Sequence, residues 1–209
     1  MRIAVLLYPD FTTLDAVGPY EVLSRIPGAE VVFTAAQRGP VRNDRTSLAI
    51  TADATLDEVD SADLLLVPGG PGTEAQLTDE AVLDWVRRVD ATTTWTTSVC
   101  SGSLILGAAG LLRGRRATTH WGVLDRLPGF GAEPTGTERI VVDGKYATAA
   151  GVSAGIDLAL RLTGLIAGDA TAEAIQLLIE YDPQPPYSAG SLATASPAAV
   201  EGARRLLLG

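Results

Sequence analysis

Cys100 is the only cysteine in the chain. It stands in "TTTWTTSVCSGSLILGAAGLL" (92–112), after a β-branched run that reads as a strand over 93–99 and before a helix that begins near Ser101. A side chain at such a joint stands above the carboxyl edge of a sheet. The free N–H groups of the helix start, with about half a positive charge, favour a thiolate there. Cys100 is therefore expected to titrate below the ordinary thiol value of about 8.5. Ser98, Ser101 and Gly102 are small enough for a tight strand-to-helix turn, as in other nucleophile elbows. A buried cysteine also packs as a small hydrophobe, and the local pattern by itself leaves both roles open.

Three further groups could serve the same chemistry. "VPGGPGT" (67–73) ends another apolar strand, and Gly69 and Gly70 are expected to leave backbone N–H groups exposed for an anion or oxyanion. No "GK[ST]" follows, so this is not a phosphate loop, and two glycines after a strand are also a common turn. Asp15, in "FTTLDAVGPYEVL", falls between the first strand and its helix, on the same sheet edge as Cys100. An acid there is either a helix cap or a partly buried carboxyl that exchanges protons with the thiol. Glu21 reads as solvated. His120 is the only histidine. It ends "RRATTH", and it is either a thiolate-making partner for Cys100 or a satisfied polar group at a strand end. One His and one Cys do not make a zinc-type ligand set, so no metal site is expected.

The elements that must position these groups alternate. Apolar strands are expected at 2–8, 30–36 and 62–70, with hairpins over 39–54 and over 139–150, the latter turning at Asp143-Gly144. "GPYEVLSRI" (18–26) reads as a helix with Pro19 in its first turn. Helices are also expected at 79–89, from Trp121, at 153–168, at 171–181 and in "PAAVEGARRLLL", the last after a Pro-rich tract over 182–191. Nearly all-apolar strands separated by helices imply a mainly parallel, doubly wound α/β sheet covered on both faces. Ligands of such folds sit at the carboxyl ends of the strands, near a topological switch point.

The chain has 209 residues, 46% hydrophobic and 20% charged, which fits one α/β domain over 1–209 with a large core. The formal charge is −9, and no basic cluster exceeds "RGRR" at 113–116, so nucleic acid is a poor partner. The opening "MRIAVLLYPDF" is too short for a membrane span and lacks a cleavage site. With a single cysteine, it reads as the first strand of a cytoplasmic protein.

The stretches "LDAVGPYEVL", "DLLLVPGGPGT", "TTSVCSGSLILGAAGLLRGRRATTHW" and "GVSAGIDLAL" resemble the ThiJ/PfpI-like superfamily, in order and over nearly the whole chain. That superfamily has a flavodoxin-like fold with a cysteine at a nucleophile elbow. With "LLIEYDPQPPYSAGS" and an aspartate at Asp15, the chain is most similar to its isocyanide (isonitrile) hydratase branch. That branch usually has Thr after the cysteine. Ser101 keeps the hydroxyl and drops the methyl.

The resemblance implies a cofactor-free homodimer that adds water to a small isocyanide, R–N≡C. Cys100 would be the nucleophile that forms a thioimidate, Asp15 the proton donor and acceptor, and Ser101 part of the polar site. His120 would be a secondary site residue. Apart from the resemblance, Val152, Trp121 and Tyr187 are apolar or aromatic candidates for the pocket lining, with core or interface as their default role. Glyoxalase- and deglycase-type relatives usually carry Glu at the Asp15 position. Ligand-sensing relatives carry a helix-turn-helix domain, for which a chain ending at Gly209 is expected to leave no room. A redox-sensing role for Cys100 is the remaining alternative.

Overall fold

The computed structural model describes residues 1–136 and 138–208. The chain divides into two compact units, residues 1–179 and 180–209. In the first unit the strands are β1 (Arg2–Leu6), β2 (Glu30–Ala35), β3 (Gly39–Arg42), β4 (Ala49–Ala52), β5 (Ala54–Thr55), β6 (Leu64–Val67), β7 (Trp95–Val99), β8 (Arg116–Ala117), β9 (Glu133–Pro134), β10 (Ile140–Asp143) and β11 (Tyr146–Ala149). The helices are α1 (Thr13–Leu23), α2 (Thr73–Gln76), α3 (Glu80–Asp90), α4 (Gly102–Ala108), α5 (Ala154–Ala167) and α6 (Asp169–Leu178), with 3₁₀ turns over Trp121–Phe130.

Seven strands form the central sheet in the order β10-β11-β7-β6-β1-β2-β5. All pairs are parallel except the β10–β11 hairpin. Ile3 to Leu6 and Leu64 to Val67 are buried throughout, as required of strands covered on both faces. Helix α3 shows how the covering layer is specified. Val82, Leu83, Trp85, Val86 and Val89 recur at helical spacing and are all buried. Asp79 caps the helix, its carboxylate accepting the Ala81 and Val82 N–H groups at 3.0 and 3.3 Å. The one polar atom of Trp85 is satisfied by the Val59 carbonyl at 2.6 Å.

From β1 the chain moves outward to β2 and β5, then returns to lay β6 on the other side of β1. The winding reverses between β1 and β6, and that crevice is the switch point at which this class of sheet takes ligands.

Two expected elements differ. Helix α1 starts at Thr13, five residues before Gly18, so Asp15 lies in its first turn rather than in a loop. Pro19 is inside the helix, and the Asp15 carbonyl lacks its i+4 donor. "RRATTH" is a strand only at Arg116–Ala117, paired with β9 in a separate two-stranded sheet. Side chains replace the ladder beyond it: Thr118 N–H donates to Thr148 Oγ1 at 2.9 Å, and Thr119 Oγ1 donates to the Cys100 carbonyl at 2.8 Å.

The second unit carries helix α7 (Pro197–Leu208) after the Pro-rich tract. Ser196 caps it through the Ala199 N–H at 3.2 Å, with Pro197 at the first helical position, where a missing N–H costs nothing. Among the described residues, no helix is long and apolar enough to cross a membrane.

Candidate active site

Three strand ends build the site. Asp15 follows β1, Gly69 and Gly70 follow β6, and Cys100 follows β7. Cys100 has φ +58°, the left-handed region, which costs a non-glycine residue roughly 1–3 kcal/mol. Its backbone is held there on both sides: its N–H is shared between the Ala149 and Ala150 carbonyls at 3.1 and 3.2 Å, and its carbonyl takes the Thr119 hydroxyl. The elbow expected from the sequence is therefore present, with α4 beginning one residue after Ser101.

Asp15 is fully buried. Its Oδ2 accepts the Gly69 N–H at 3.0 Å, and the Thr12 N–H returns a bond to the Gly69 carbonyl at 2.8 Å. Its Oδ1 has no nitrogen or oxygen partner among the described residues, and the Cys100 thiol is the polar group beside the carboxyl. Gly69 admits no larger residue, because a Cβ there would lie 2.5 Å from Ser101 N and 3.0 Å from Cys100 Cβ. The close approach brings the three strand ends into one cluster.

Two electrostatic expectations are overturned. The Cys100 thiol is pushed up, not down. Burial is the main cause, and the Asp15 carboxylate adds to it. The Ser101 and Val152 N–H groups face the sulfur and favour its charge, but they do not offset the loss of water. The glycine N–H groups are not free for an oxyanion either. Gly69 donates to Asp15, and Gly70 donates to Ser101 Oγ at 3.0 Å. The N–H groups aimed at the reacting centre are those of Ser101 and Val152. Val152 thus reaches the site through its backbone, at φ +25°.

Burial also raises Asp15 to about 7, with the Asp44 carboxylate adding to the rise, against the Gly69 and Cys100 hydrogen bonds that lower it. With the carboxyl raised to about 7 and the thiol raised as well, the pair holds two protons below about 7 and one above it.

The other expected residues have surroundings of their own. His120 Nδ1 accepts the Gly122 N–H at 3.1 Å, so the ring proton of the neutral form is on Nε2. The ring lies against Gly151, and burial lowers its affinity for a second proton. No hydrogen bond joins it to Cys100 among the described residues. Glu21 is exposed and pairs with Arg25 at 2.8 Å. Trp121 is half-buried beside His120, with ring centroids 5.3 Å apart. Tyr187 is exposed and belongs to the second unit.

Tyr8, Thr73 and Thr119 also surround the site, and no motif in the sequence names them. Thr73 closes the quoted "VPGGPGT", and a hydroxyl ending a glycine loop was the available signal. Nothing local marked Tyr8, which ends an apolar strand run.

The DJ-1/PfpI family matches residues 1–164, from β1 through most of α5. The chain belongs to the DJ-1/PfpI family. It is similar to an isonitrile hydratase of Pseudomonas putida, with 43% identity over 98% of this chain and 89% of that protein. It is also similar, at 30% identity over 70% of this chain and 87% of the relative, to a deglycase of Pyrococcus abyssi. Among solved structures, a ThiJ/PfpI family protein from Pseudomonas syringae superposes with a TM-score of 0.93 at 44% identity, covering 99% of this chain and 85% of that one. The region matched by this DJ-1/PfpI family holds all three strand ends of the site.

Proposed function

We propose that this chain is an isocyanide hydratase, a hydro-lyase that converts R–N≡C and water to the formamide R–NH–CHO. The observation that carries the reading is the fully buried Asp15, raised to about 7, with one oxygen left open beside the only thiol. The 43% identity to an isonitrile hydratase supports it over nearly the whole chain.

The chemistry uses one proton on the pair. Asp15 gives that proton to the terminal isocyanide carbon as the Cys100 sulfur forms a C–S bond to the same carbon. The result is the thioimidate R–N=CH–S–Cys100. Asp15, now a carboxylate, takes a proton from water as the hydroxide adds to that carbon, and passes it to nitrogen. The carbonyl then forms, the C–S bond breaks, and the hydroxyl proton returns to Asp15. The Ser101 and Val152 N–H groups stabilise charge on sulfur in the first and last steps. Splitting one addition into two steps lowers each barrier. The reaction requires the singly protonated pair, so kcat/KM rises with pH through about 7.

The test is a product assay. Purified protein given an alkyl or aryl isocyanide yields the formamide by mass spectrometry and consumes little methylglyoxal. Methylglyoxal consumed far faster than any isocyanide would move the chain to the glyoxalase-type reading.

We also propose that the protein works as a homodimer in a reducing compartment such as the cytoplasm, where a free catalytic thiol persists. Leu177 and Leu178 on α6 are more than half exposed, apolar area that a second copy would cover. Light scattering at micromolar concentration is expected to give twice the 21.7 kDa chain mass; a monomer at that concentration removes the dimer.

A further inference from the structure

Tyr8, Thr73 and Ser101 are buried hydroxyl residues that the proposed reaction does not consume. Tyr8 OH donates to the Pro68 carbonyl at 2.7 Å. A carbonyl has no proton to give, so this bond commits the only proton of Tyr8. Thr73 Oγ1 lies 3.1 Å from Tyr8 OH and therefore donates to it. Ser101 Oγ lies 2.9 Å from Thr73 Oγ1, and with the threonine proton already committed, the serine donates. Ser101 Oγ in turn accepts the Gly70 N–H at 3.0 Å; its contact to the Gly70 carbonyl, at 3.4 Å, is the longer one. The donors run in one direction, Gly70 to Ser101 to Thr73 to Tyr8 to Pro68. The chain begins and ends on the two residues flanking Gly69.

We propose that this closed chain of hydrogen bonds clamps both flanks of Gly69, and that Tyr8, Thr73 and Ser101 are positioning residues that aim the Gly69 N–H at Asp15 to set its proton affinity. The inference rests on the assignment of Asp15 as the proton-transfer group. Asp15 is faced by three titratable groups: Cys100 at the elbow, Tyr8 after β1, and Asp44 between β3 and β4. Tyr8 stays neutral, its phenol raised by burial. The Gly69 N–H is the backbone donor that favours the Asp15 carboxylate. A loosened loop weakens that donor and leaves burial less opposed, so the Asp15 titration moves up.

Thr73→Val keeps the shape and removes the hydroxyl. Asp15 is followed by ¹³C NMR of labelled aspartate carboxyls, its resonance assigned by its loss in Asp15→Asn. This readout needs no substrate, so it stands even if no formamide forms. Thr73→Val is expected to raise the Asp15 midpoint by about half a pH unit or more. On an isocyanide, kcat should fall about 10- to 100-fold with KM changed less, and the rising limb of the pH profile should move up with the midpoint. Tyr8→Phe should shift both in the same direction, and Thr73→Ser should restore the wild-type values. If Thr73→Val and Tyr8→Phe are folded by circular dichroism and the Asp15 midpoint stays at the wild-type value, the clamp does not set Asp15 and the inference is wrong. A shifted midpoint with no isocyanide turnover by the wild type would keep the clamp and remove the hydratase function.

Discussion

Replacing Cys100 with alanine is expected to bring isocyanide turnover down to the uncatalysed rate, a loss on the order of 10⁴-fold or more, with the fold intact. The thiol is the only one in the chain, so no second cysteine can take over. The Asp15 acid alone offers a proton but no nucleophile, and direct attack of water on the isocyanide then has to cross the undivided barrier. The structural cost is small. Alanine keeps the Cβ, so the strain at φ +58° is unchanged. The loss of one buried sulfur is worth about 1 kcal/mol. Steady-state kinetics beside a melting curve reads both quantities. Retained turnover in a folded Cys100→Ala would remove the thioimidate from the mechanism.

The Asp15→Asn variant should lose activity and gain stability. Asparagine can still accept the Gly69 N–H but cannot exchange a proton, so turnover should fall by ~10²–10⁴-fold. The stability change has a definite sign. Asp15 rises from the ordinary carboxyl value of 3.8 in the unfolded chain to about 7 in the fold. The folded state therefore favours the protonated acid. That preference helps stability fully below about 4, and it is lost progressively as pH rises through about 7. Above that pH the wild type carries a buried carboxylate at a cost of up to about 4 kcal/mol. Asparagine never ionises, so the variant should melt above the wild type at pH 8, by as much as about 10 °C. The difference should vanish near pH 4. A lower melting temperature at pH 8 would mean that the carboxylate is stabilised by its surroundings, and the raised proton affinity would be wrong. Such a gain at the expense of function is the trade expected at a strained site.

The two effects come from one cause. Burial strips water from Asp15 and Cys100 alike, which raises both and leaves one proton to be shared.

Much of this arrangement was legible in the order of residues. All-apolar runs such as "IAVLL" and "LLLV" mark strands buried on both faces, and the helices between them dictate parallel crossovers. The small residues around Cys100 require a sharp strand-to-helix turn, and the glycines at 69 and 70 require close approach; both are properties of local sterics. The placing of Asp15, Gly69 and Cys100 on successive strand ends followed from that alternation. The start of α1 was not legible, because Pro19 suggested a first turn while packing extends the helix back to Thr13. His120 also escaped: Thr118 and Thr119 divert their backbone neighbourhood to Thr148 and Cys100, and these partners are remote in the chain.

The sequence by itself determined which groups could react and that they would meet at one edge of the sheet. The tertiary structure alone decided how they ionise and which N–H groups remain free. A helix start beside a cysteine argues for a thiolate. Its burial with a carboxylate for a neighbour reverses that sign, because desolvation depends on everything packed around the group and not on its neighbours in the chain. In the same way, the glycine N–H groups that looked open are taken by Asp15 and Ser101, side chains that arrive from the start of α1 and from the cysteine elbow only when the chain is folded.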